Sequence, residues 1–81
     1  MNVLYVYAGS RDQHLERAIL RDIGDQYGPA RQVGSHSGED GLTTVTLAFD
    51  EGTVSVQHVA ETLRGYRRIL DAAEGSFGEG A

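Results

Sequence analysis

Apolar residues recur along this chain with two different periods, and the change of period marks its elements. Residues Asn2 to Ala8, NVLYVYA, form a β-branched and aromatic run closed by Gly9. Leu4 and Val6 fall on one side of it, and Val3, Tyr5 and Tyr7 on the other. Leu15, Ala18, Ile19, Ile23 and Tyr27 then recur at helical spacing. Ser10 and Gln13 have the spacing of a capping box, so the helix is predicted to start at Ser10. Gly24 and then Gly28-Pro29 supply its stop. Ala30 to Ser37 is polar and interrupted by Gly34, the composition of a short edge strand. Gly38-Glu39-Asp40-Gly41 reads as a hairpin connection. Leu42 to Phe49 is a stronger strand, with Val45, Leu47 and Phe49 on one face and Thr44, Thr46 and Ala48 on the other.

After a turn at Asp50-Glu51-Gly52, Ser55 is the expected N-cap of a second helix, with Val54 stapled to Val59. Val56, Val59, Ala60, Leu63, Tyr66, Leu70 and Ala73 trace one stripe over about five turns. Residues 1–74 therefore form one domain, and 75–81 are small enough in composition to be a flexible tail or linker stub. The predicted class is α+β: a βαββα two-layer sandwich with a three-stranded mixed sheet and both helices on one face. A helical crossover makes the first two strands parallel, and the hairpin places the third strand between them. Leu4, Val6, Val33, Val45, Leu47 and Phe49 are then expected under the helices. Val3, Tyr5, Tyr7, Thr44 and Thr46 are expected on the uncovered face.

Over residues 2–74 this order resembles a ferredoxin-like βαββαβ unit without its last strand, and it is similar to small regulatory domains of the ACT type. The resemblance lies in element order and rests on no sequence motif. It implies a small ligand held at a dimer interface near Gly9. A missing last strand would leave the first strand's edge open for pairing with another chain.

Composition narrows the functional classes. Of 81 residues, 40% are hydrophobic, and a chain this short buries about 60% of its unfolded surface, so a partner would help its stability. Cysteine is absent, which removes disulfides and thiolate metal sites. Seven basic residues, all arginine, face twelve acidic ones for a net charge of −5. That balance argues against nonspecific nucleic-acid or anionic-membrane binding. The arginine-for-lysine usage fits a GC-rich bacterial genome or its phage. With no signal-peptide pattern and no long apolar run, a cytoplasmic location is expected.

The candidate chemistry is sparse. Gly9-Ser10 sits where phosphate loops sit but lacks their glycine pattern, and an ordinary turn accounts for it. His14, His36 and His58 lie on three elements without ligand spacing, so no metal or other cofactor is expected. Asp50-Glu51-Gly52 lacks the alternating oxygens of a calcium loop. Arg64, Arg67 and Arg68 cluster beside the second helix stripe and could contact an anion or acidic partner. Glu61 and Asp71 stand at pairing distance along the same helix. Gly65 interrupts that helix, at a cost of about 1 kcal/mol relative to alanine. No nucleophile, base and acid share recognisable spacing, so an enzyme is not expected.

Tyr5 and Tyr7 carry the functional expectation, since tyrosine on an open sheet face suits a protein interface. The leading expectation is a non-catalytic interaction or oligomerisation module, with a protein partner or a second copy on the uncovered face and the first-strand edge. A ligand-sensing regulatory domain is the alternative. A phage-type acidic inhibitor of a host protein is a further one.

Overall fold

A computed structural model describes residues 1–50 and 54–75. Its elements are β1 (Asn2–Ala8), α1 (Gln13–Tyr27), β2 (Ala30–Ser37), β3 (Leu42–Phe49), α2 (Val56–Arg64) and β4 (Ile69–Glu74). The sheet order is β2-β3-β1-β4, and every neighbouring pair is antiparallel. β3 lies between β1 and β2 as expected, and the sheet is antiparallel rather than mixed. Both hairpin strands keep their predicted bounds. The Gly38–Gly41 turn closes through Gly41 at φ 79°, in the left-handed region.

The largest correction concerns the end of the domain. The second helix stops at Arg64, and the segment predicted to continue it forms a fourth strand against β1. Gly65 caps the helix, and its amide donates to the Thr62 carbonyl at 3.1 Å. A Cβ there would stand 3.3 Å from that same oxygen, close enough to require a small shift of the turn. Leu70 and Ala73 fit a helical stripe, but extended pairing gives the whole outer edge of β1 its hydrogen-bond partners. β1 is therefore an interior strand, and the predicted open edge of the first strand does not exist. The free edges belong to β2 and β4, and the βαββαβ order is complete.

α1 also starts later than predicted. Asp12, not Ser10, is its N-cap and accepts from the Leu15 amide at 3.1 Å. Gly24 lies inside the helix, and Gly28 (φ 105°) ends it by donating to the Gly24 carbonyl at 2.9 Å. Ser55 caps α2 as expected. Tyr27 ties the helices together through the Thr62 hydroxyl at 2.5 Å and the His58 carbonyl at 3.3 Å. Tyr66 donates to Asp22 of α1 at 3.2 Å. The predicted tail and the Asp50-Glu51-Gly52 turn lie largely outside the described residues.

The core sits between the helices and one sheet face. Val3, Tyr5, Tyr7, Val45, Leu47, Phe49, Ile69 and Ala72 meet Ile19, Ile23, Val59, Ala60 and Leu63 there. The two faces of β1 are thus the reverse of the prediction. Val3, Tyr5 and Tyr7 are fully buried, whereas Leu4 and Val6 stand half-buried on the open face. Register explains this, because Tyr5 pairs with Val45 and Val3 with Leu47, and cross-strand partners share a face. Val33, predicted in the core, is 53% exposed where the β2–β3 register shifts. A second shift, in the β1–β4 pairing, leaves Leu70 at 60% exposure. Such irregularities on edge strands discourage edge-to-edge pairing with other chains.

Candidate functional site

Two surfaces need explanation beyond the core, and the first is the open sheet face. Cross-strand partners place three rows on it: Arg31, Ala48 and Asn2; Gly34, Thr46, Leu4 and Ala73; His36, Thr44, Val6 and Asp71. Thr44 and Thr46 are where the sequence reading put them; Val3, Tyr5 and Tyr7 are not. Thr46 and Ala48 are buried without a helix above them, because small side chains sink between their taller neighbours. The centre of this face is uncharged. Its charged residues stand at the rim: Arg31 on β2, Asp71 on β4 within 3.5 Å of Arg64, and Glu39 and Asp40 beside Val6 and Thr44 at the hairpin end.

The second feature is a polar cluster where β1 hands over to α1. Glu16 lies on the buried stripe of α1, 2% exposed, three residues before Ile19 and seven before Ile23. Its carboxylate accepts from the Tyr7 hydroxyl at 2.5 Å, Gln32 Nε2 at 2.8 Å and Arg11 Nε at 3.1 Å. Three donors on about four lone-pair sites make a well-satisfied buried charge. Tyr7 also accepts from the Asp12 amide at 2.7 Å, so one hydroxyl links the helix cap to the buried acid. Arg68 donates to Asp12 at 2.6 Å and lies 5.7 Å from the Tyr7 ring centroid, a cation–π distance. The Arg68 hydrogen bond, reinforced by the Leu15 amide, holds the Asp12 carboxyl below its usual range.

The predicted arginine cluster is thereby dispersed. Arg64 donates to the Ala72 carbonyl at 3.0 Å and lies 3.5 Å from Asp71, bracing α2 against β4. Arg68 serves the α1 cap, and Arg67 is exposed in the turn between α2 and β4. They do not share a helix face because the helix ends before two of them. Apolar periodicity alone passes over Glu16, whose signal in the sequence is a carboxylate in phase with Ile19 and Ile23.

Burial raises the Tyr5, Tyr7 and Tyr66 hydroxyls above the ordinary tyrosine value near 10; Glu16 adds to the shift for the first two, and Asp22 for the third. The folded state keeps these protons longer than the unfolded state. Their stabilising contribution is therefore complete below about pH 10 and is lost as pH rises above it. Tyrosinate absorbance at 295 nm is expected to rise together with loss of the near-ultraviolet circular dichroism signal. Three of the four tyrosines ionising near pH 10 with the fold intact would contradict this account.

Among the described residues, no helix is long and apolar enough to cross a membrane, and no group of three or more His, Cys, Asp or Glu side chains could hold a metal ion. No protein-family model, curated protein or solved structure matches the chain.

Proposed function

We propose that this chain is a non-catalytic interaction module that associates with a second copy of itself through the open sheet face. The observation that carries this reading is the uncharged patch of Leu4, Val6, Thr44, Thr46, Ala48 and Ala73 on a chain of net charge −5. Two copies repel each other least where the uncharged centre of this face meets itself, with the charged residues held at its rim. Burial of Leu4 and Val6 supplies the gain. The finished β1 edge removes strand addition there, and the register shifts at β2 and β4 make edge pairing a poor route.

The size of the patch sets the strength. Four strands about 4.8 Å apart, each contributing about 20 Å of length, give a face of about 400 Å². Stable interfaces bury about 800 Å² per partner, so the dimer is weak and reversible. Sedimentation equilibrium is expected to show average mass rising with concentration toward the dimer. Val6→Glu, which places a charge on the open face and leaves the core untouched, is expected to abolish that rise while preserving the circular dichroism spectrum. A strict monomer at about 1 mM, a concentration that populates even weak dimers, would refute the reading.

A further inference from the structure

The helix-facing side of β2 is unlike that of the other strands. β1 and β3 present Val3, Tyr5, Tyr7, Val45, Leu47 and Phe49 to the helices, whereas β2 presents Gln32, Ser35 and Ser37 after Ala30. Above them α1 contributes Glu16, so the space between α1 and β2 is polar where a structural interface would be apolar. A depression of about 270 Å³ opens there, lined by Arg11, Gln13, Glu16, Arg17, Leu20 and Gln32. That is just below the range of about 300–1,000 Å³ typical of drug-sized ligands.

Two hydroxyls lie in the neighbouring sheet row, just outside the lining of the depression. Tyr5 and Ser35 both pair with Val45, in the row between those of Tyr7 and Gln32, the two sheet residues that reach Glu16. Tyr5 is fully buried, and neither its hydroxyl nor that of Ser35 has a hydrogen-bond partner among the described residues. Buried polar atoms without partners are rare, and two in one row beside a polar depression point to a group that completes them. The charges narrow its class. Arg11 donates to Glu16 through Nε, and Arg17 lines the same depression. Two guanidinium groups against one carboxylate leave the site at +1, matched by a monoanion.

From this we infer that the α1–β2 depression binds a small hydroxycarboxylate. Its carboxylate sits on Arg11 and Arg17, and its hydroxyl reaches the Tyr5 and Ser35 hydroxyls once the Gln32 side chain gives way. The site lies on the helix side of the sheet and is independent of the self-association face.

The test is a titration of the full chain with three compounds of one size: lactate, propionate, which lacks the hydroxyl, and alanine, which carries an ammonium in its place. Amide chemical shifts of residues 11–20 and 31–35 are expected to move saturably with lactate. Propionate, which leaves the buried hydroxyls unmet, and alanine, whose ammonium must be desolvated beside two guanidinium groups, are each expected to bind at least about tenfold more weakly. Ser35→Ala is expected to reduce lactate to the level of propionate, and Arg17→Gln, at an exposed position, to weaken both acids about tenfold. Lactate binding no tighter than propionate, alanine binding tighter than either, or no saturable shift up to about 50 mM, beyond the millimolar affinity of a weak site, would overturn the inference. Inorganic phosphate moving the same amides at lower concentration would overturn the carboxylate assignment.

Discussion

Replacing Glu16 with alanine is expected to destabilise the domain by about 3–5 kcal/mol, the usual consequence of removing one member of a buried charged network. The substitution strands the Tyr7 hydroxyl and Gln32 Nε2, and it frees the Arg11 guanidinium from its anchor. A domain of this size loses about 4–8 °C of Tm per kcal/mol, so thermal unfolding should fall by at least about 12 °C. Small domains have about 5–15 kcal/mol in total, and the variant would approach the limit of folding. Glu16→Gln retains the shape and one acceptor, so it should lie between the two. A change below about 1 kcal/mol for Glu16→Ala, an ordinary surface value, would show that the carboxylate is not the centre of the network.

The same residue shows what the sequence could and could not reveal. Five of the six elements were legible from periodicity and punctuation, and the hairpin strands were placed to the residue, because Gly38 and Gly41 bracket two runs of clear character. Period alone could not orient β1, since NVLYVYA is apolar on both faces. With Leu4 and Val6 opposed to Val3, Tyr5 and Tyr7, the outcome depended on which tyrosines find polar ends inside the fold. Tyr7 finds Glu16 and the Asp12 amide, and that pairing makes its burial tolerable. β4 was hidden for a different reason. Ile69 to Glu74 carries helix-compatible residues, and its extended form is imposed by the unpaired edge of β1. Gly65 was the one local sign that the helix would end there.

The open face was anticipated as a feature of the fold, yet its occupants were misassigned with the inversion of β1. Thr44 and Thr46 survived because β3 has one plainly apolar face, fixed by Val45, Leu47 and Phe49. The functional reading consequently moves from aromatic contacts to a shallow aliphatic and threonine surface. The proposed association is correspondingly weak and reversible, because two buried tyrosines contribute no area to it.

Removing the hydroxyls of Tyr5 and Tyr7 separately should have opposite consequences, although the rings are neighbours with centroids 6.3 Å apart and both are fully buried. Tyr7→Phe deletes a donor to Glu16 and an acceptor for the Asp12 amide, leaving a buried carboxylate oxygen short of a partner. The expected cost is about 2–3 kcal/mol, or a Tm lowered by at least about 8 °C. Tyr5→Phe deletes a hydroxyl that has no partner among the described residues, so the burial penalty disappears with it. That variant should be as stable as the parent or more stable by about 1 kcal/mol. Glu16 accepts a hydrogen bond from Tyr7 and not from Tyr5, so a double-mutant cycle should separate them. Glu16→Leu with Tyr7→Phe should cost less than the sum of the single changes, by about 1 kcal/mol or more, because each removes the group the other leaves unpaired. The same cycle with Tyr5→Phe should be additive within about 0.5 kcal/mol. Equal losses for the two tyrosines would mean that ring packing, not the hydroxyl network, governs this end of the core.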